Sequence, residues 1–128
     1  MAAVVLLAPV GCSVGADEEP QPVSGVPREI AATVDSLGAA IAEGDYATVC
    51  NRLFTDSARR RAGGDDCVTQ LRSAGEDVRR PVIEIRGIEL KGNSATVKVA
   101  TRAEGQGLVN DRLELRRQGG RWLVEAVS

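Results

Sequence analysis

Few residues of this chain carry groups able to do covalent or acid–base chemistry outside an ordinary surface role. Cys50 and Cys67 flank a stretch that ends in Gly63-Gly64, which lets the chain fold back and bring the two thiols together. In an oxidising compartment such a pair forms a disulfide, and closing a loop of that size stabilises by roughly 3 kcal/mol in the chain-entropy picture. In a reducing compartment the same pair is two buried thiols. A nucleophilic thiol needs a base or a cation to hold the thiolate, and the chain contains no histidine. That absence also removes Ser-His-Asp catalysis, histidine general bases and histidine-ligated metal sites. Three cysteines this far apart match no zinc or iron–sulfur spacing, so no metal and no cofactor are expected. The single tyrosine, Tyr46, falls within an apolar helical stripe, where packing is its simplest role. The Asp65-Asp66 and Glu76-Asp77 pairs sit at expected caps and loops and read as capping and surface groups, not as an acid–base or metal pair. Gly105-Gln106-Gly107 lacks the third glycine and the following helix that a dinucleotide loop requires.

Asp111 is the acid whose position is most informative. In the stretch Val109 to Leu115 side chains alternate between faces, so Val109, Asp111, Leu113 and Leu115 share one side. The leucines need a core, which turns Asp111 inward near the start of its strand. It is then either a polar group at a cavity mouth or the partner of a cation such as Arg102. A strand that begins later leaves it in solvent.

The elements that must position these groups follow from hydrophobic period. Ile30, Val34, Leu37 and Ile41 form one stripe of a helix over residues 28–43, with Pro27 at its start and Gly44 past its end. Asp45 caps a second helix carrying Tyr46, Val49, Cys50 and Leu53. Thr55 or Asp56 starts a short turn bearing Arg59, Arg60 and Arg61, and Asp65 or Asp66 caps a last helix with Cys67, Val68 and Leu71. The three arginines, like Arg79 and Arg80, read as a solvated face or as a contact to an anionic surface. From Val82 the period becomes two. Ile83 and Ile85 differ in parity from Ile88 and Leu90, which a bulge at Gly87 corrects. Gly92-Asn93 and Gly119-Gly120 make tight hairpin turns, the second of them the strongest turn signal in the chain. Past it, Trp122 and Val124 face the leucines of the preceding strand.

Composition sets the outer limits. The chain has 128 residues and 43% hydrophobic content, which suffices for one core. One Trp, one Tyr and one Phe leave that core to aliphatic side chains. Beyond Arg28 basic and acidic residues nearly balance, which leaves no footprint for nucleic acid. Residues 1–12, MAAVVLLAPVGC, are apolar but shorter than the about 20 residues a spanning helix needs. Gly11 before Cys12 resembles a bacterial lipoprotein box, in which the cysteine is lipidated. Pro9 stands where such boxes prefer leucine, and no Lys or Arg precedes the apolar run. Residues 13–27 hold Asp17, Glu18, Glu19 and three prolines and read as a flexible tether. The expected organisation is a signal segment over 1–12, a tether over 13–27 and a domain over 28–128.

Helices followed by a four-strand meander specify an α+β domain, with N-terminal helices packed on an antiparallel sheet. The opening AIAEGDYATVCNRL (Ala40 to Leu53) and the closing GGRWLVEAV (Gly119 to Val127) resemble the NTF2-like superfamily, particularly its small secreted or lipid-anchored bacterial members. The resemblance implies a curved four-stranded sheet wrapped into a cone around the helices, with a pocket at the open end in the enzymes. It implies no single activity, since the fold hosts isomerases, dehydratases, cyclases and binding modules. The dehydratases and many cyclases use an Asp-His pair that is missing here, so no residue is carried over as catalytic. Asp111 and Tyr46 are the residues offered for ligand contact. The resulting expectation is a domain tethered through Cys12 to the outer face of a bacterial membrane, binding a small apolar ligand or an envelope protein. The competing expectations are an isomerase or hydratase using carboxylate and tyrosine, and a structural module that forms a homodimer through its sheet face.

Overall fold

The computed structural model describes residues 25–128. The expected signal segment, Cys12 and nearly all of the expected tether lie outside the described residues. Helix α1 spans Val26–Glu43, two residues longer at its start than its apolar stripe required. Its buried face is Ile30, Val34, Leu37 and Ala40, and Gly44 closes it at φ 69°, a left-handed value that glycine adopts without strain. Asp45 caps α2 (Tyr46–Thr48): its Oδ1 accepts from the Thr48 N–H at 3.2 Å and its Oδ2 from the Thr48 hydroxyl at 2.7 Å. These bonds to the charged form hold the Asp45 carboxyl below the ordinary range.

The second helix does not stay α-helical as its stripe implied. It widens into a π-helical turn, Val49–Leu53, in which the Phe54 N–H reaches the Val49 carbonyl at 3.0 Å. Phe54 then turns extended and bridges Val124 in parallel. Helix α3 (Asp56–Arg61) is capped by Thr55, whose hydroxyl accepts from the Ala58 N–H. A 3-10 turn, Gly64–Asp66, runs directly into α4 (Cys67–Ala74). Asp66 stands at the N-cap position of α4, but its side chain makes no capping bond to the first turn, and Asp65 lies within the 3-10 turn.

Four strands follow: β1 (Val82–Lys91), β2 (Ser94–Arg102), β3 (Val109–Gln118) and β4 (Arg121–Val127), all antiparallel neighbours in chain order. The β1–β2 register slips between Ile85 and Gly87, so Ile85 faces Val99 and Ile88 faces Val97 on one side of the sheet. Gly119 and Gly120 both have positive φ in the last hairpin, as a type I′ turn demands. The core lies between α1 and the sheet: Ile30, Val34 and Leu37 meet Val97, Val99, Leu113, Leu115, Trp122 and Val124. Aliphatic side chains of this size contribute roughly 1.5–3 kcal/mol each when fully buried. The Thr33 hydroxyl donates to the Trp122 carbonyl at 2.8 Å and pins the helix to β4.

A second slip, between Glu114 and Leu115, makes Glu125 the extra residue of β4. No local pattern in the chain marks it. Thr55, fully buried, joins this bulge to α3. Its N–H donates to the Val124 carbonyl at 3.0 Å, its hydroxyl accepts from the Ala58 N–H at 3.0 Å, and that hydroxyl donates to Glu125 Oε2 at 2.5 Å. Arg61, expected on a solvated face, donates to the Glu125 carbonyl and lies 3.6 Å from its carboxylate. The Thr55 hydroxyl, with Arg116 and Arg61 nearby, holds the Glu125 carboxyl below its ordinary 4.5. A depressed folded value adds stability that is present above pH 4.5 and is lost as pH falls through the folded value. Urea unfolding of Glu125→Gln between pH 3 and 7 is therefore expected to show a shallower acid loss than the parent chain. Parallel profiles would show that this carboxylate does not couple to folding.

Candidate functional site

The residues around Tyr46 form an apolar cleft. Its volume is about 240 Å³. Leu37 and Ile41 of α1 form one wall, Val49 and Phe54 a second, Leu71 of α4 a third, and Val127 stands at the mouth, 58% exposed. Capping by Asp45 sets the direction of α2 and so aims the half-buried Tyr46 across this space. Its ring reaches Gly75, where a β-carbon would collide with the tyrosine hydroxyl. Gly75 has an ordinary φ of −94°, so glycine is there for space and not for backbone conformation.

The Cys50–Cys67 disulfide holds the α4 wall in place. Cys50 lies in the π-helical turn and Cys67 opens α4, with both side chains buried and a Cα–Cα distance of 6.1 Å. Cys67 is the one buried residue of α4, so the bridge is the chief tie of that helix to the rest. Thiol chemistry is thereby closed off at both positions.

Asp111 is half-buried in β3, opposite Val99 and on the side of Leu113 and Leu115. It makes no ion pair with Arg102 among the described residues, and it does not line the Tyr46 cleft. The two residues offered for ligand contact are thus not brought together. What the sequence left unseen was the far wall. Leu71 read only as an apolar residue of a short helix, Gly75 carried no reading, and nothing local ties either to Tyr46.

Leu53, Thr33 and Trp122 line a larger, more open groove of about 300 Å³ at the other end of α1, with Glu29, Ser36 and Arg121 on its rim. Its mixed walls and exposure make it a poorer trap for an apolar molecule than the Tyr46 cleft. Among the described residues no cluster of three metal-ligating side chains occurs, and no helix is long and apolar enough to cross a membrane.

No family model matches the chain, and no curated protein matches it. Solved structures do. An NTF2-like protein of unknown function from Silicibacter pomeroyi DSS-3 is 18% identical at a TM-score of 0.60, covering 78% of this chain and 90% of that one. Another from Shewanella baltica OS155 is 17% identical at a TM-score of 0.54, covering 82% and 94%. A de novo designed NTF2-fold protein is 14% identical at a TM-score of 0.57, covering 81% and 87%. Identities this low speak to architecture alone, and a designed protein among the matches shows that the architecture does not require a natural activity. With helices first, an open four-stranded antiparallel sheet and these structural matches, the chain has the NTF2-like fold.

Proposed function

We propose that this domain is a non-enzymatic binding module that takes a small apolar ligand in the Tyr46 cleft, held at the outer face of a bacterial membrane by lipid on Cys12. The observation that carries the binding role is the lining of the cleft, apolar throughout except for the tyrosine hydroxyl. A carboxylate beside Tyr46 would favour proton-transfer chemistry, and no acid lines the space. At about 240 Å³ it falls below the roughly 300–1,000 Å³ of sites for drug-sized ligands, which restricts the ligand to a small molecule.

The test is a thermal-shift and fluorescence titration with short-chain alkanoic acids and small aromatic hydrocarbons. A ligand at 100 times its dissociation constant stabilises the folded chain by about 2.7 kcal/mol. Gly75→Ala sets its β-carbon against the Tyr46 hydroxyl, so the ring must shift within the cleft. It is expected to weaken that binding at least tenfold, with circular dichroism checking that the chain stays folded. No stabilisation by any of these compounds would remove the small-ligand role.

The anchor is supported by the order of residues 1–27: apolar run, Gly11-Cys12, then an acidic and proline-rich tether. Two acyl chains suffice for stable membrane attachment, where one gives only marginal binding. Expressed behind a basic leader, the full chain is expected to enter the detergent phase, and Cys12→Ala to move it to the aqueous phase. Unchanged partitioning of the alanine variant would rule the anchor out.

A further inference from the structure

Strand β1 is an edge of the sheet: β2 pairs with one side of it, and among the described residues no strand pairs with the other. Long open edges are usually guarded by shortness, proline, charged side chains or a bulge. Strand β1 carries both charges and a bulge, but charges that alternate in sign repel only a strand that does not match them. This edge runs for ten residues without proline and alternates its charges: Glu84, Arg86, Glu89 and Lys91. On its core-facing side Ile85 and Ile88 are only half-covered, and Leu90, on that same side, is 47% exposed.

We infer that β1 pairs with β1 of a second copy, antiparallel, about a twofold axis at Ile88, to give one continuous eight-stranded sheet. The bulge puts Arg86 and Gly87 at a single ladder position, between Ile85 and Ile88. Counted so, Ile88 meets Ile88 of the second copy, Glu89 meets Arg86, Leu90 meets Ile85, and Lys91 meets Glu84. The twofold axis repeats each unlike pair. Every facing charge is then opposite in sign, and every facing apolar residue lies on the core side. Directly opposed unlike charges and apolar pairs stabilise antiparallel strands, and like charges destabilise them. The neighbouring registers fail that test. Moving the axis to Glu89 sets Glu89 against itself and Lys91 against Arg86. Moving it to the bulge sets Arg86 against itself and Glu84 against Glu89. In the single chain Arg86 lies 3.0 Å from Glu84 of its own strand, with both side chains about half exposed. Such a pair exchanges readily for a cross-strand partner.

Sedimentation equilibrium of the full chain over a wide concentration range tests this. A monomer–dimer equilibrium is expected. Lys91→Glu, which sets an acid against Glu84 in both symmetry-related pairs, is expected to raise the dimer dissociation constant at least tenfold, and Glu84→Lys to do the same. The combined E84K/K91E chain restores opposite charges and is expected to return within threefold of the parent value. Circular dichroism of each variant checks that the fold is intact. A chain that is monomeric throughout overturns the inference. So does a dimer indifferent to both single changes, as pairing through the sheet face would give, and so does a double variant that stays as weak as the singles.

Discussion

Replacing both Cys50 and Cys67 with alanine is expected to cost about 3 kcal/mol of folding stability, read as a shift of the urea midpoint against the oxidised parent. For a domain of this length that corresponds to a fall in Tm of roughly 12–20 °C. The bridge closes a loop across a sequence separation of 17 residues, so its removal frees α3 and the 3-10 turn in the unfolded chain as well. Its folded-state effect is local. Helix α4 contributes Leu71 and Gly75 to the Tyr46 cleft but buries only Cys67. Ligand stabilisation should therefore weaken along with the midpoint. An unchanged midpoint in the double variant would show that the helices hold α4 without the bridge.

The second large effect is expected at Trp122. Truncation to alanine should cost about 3–5 kcal/mol, the range for large aromatic-to-alanine changes in cores. Trp122 is 4% exposed and packs in the cluster that joins α1 to β3 and β4. Domains of this kind have only about 5–15 kcal/mol in all, so the alanine variant should be partly unfolded at 37 °C. Phenylalanine is the informative comparison. The indole N–H is buried and finds no protein acceptor among the described residues, so Trp122→Phe deletes an unpaired donor along with the lost volume. Its cost should stay below about 1.5 kcal/mol. Equal losses for the two variants would mean that the donor is satisfied and that ring size, not polarity, dominates.

Local chemistry was enough to place much of the architecture. The Ile30, Val34 and Leu37 stripe, the Gly44 stop and the Asp45 cap each depend on residues within a few positions, and all three appear where the pattern put them. The parity break between Ile85 and Ile88 located the Gly87 bulge, because a strand with one buried face cannot change parity without an extra residue. The paired glycines set the last hairpin and turned Trp122 and Val124 inward. Cys50 and Cys67 were recognisable as a pair from the glycines that let the chain return.

Other features are contacts between positions far apart in sequence, and no local pattern encodes them. The Glu125 bulge exists because Thr55, 70 residues earlier, offers a hydroxyl and an N–H that the regular ladder would leave unused. The second helix widens into a π-turn, and Phe54 leaves it extended to bridge Val124, 70 residues on. Asp66 takes the N-cap position of α4 without a side-chain bond, because a 3-10 turn, not a free loop, leads into the helix. The cleft depends most on tertiary structure. Periodicity determined that Tyr46 and Leu71 each face inward, but only the packing of α4 against α2 brought the Tyr46 hydroxyl to Gly75 and left Asp111 outside. Amphipathic period fixes which face of an element is buried, whereas the distance between two buried faces is set by every side chain that fills the space between them.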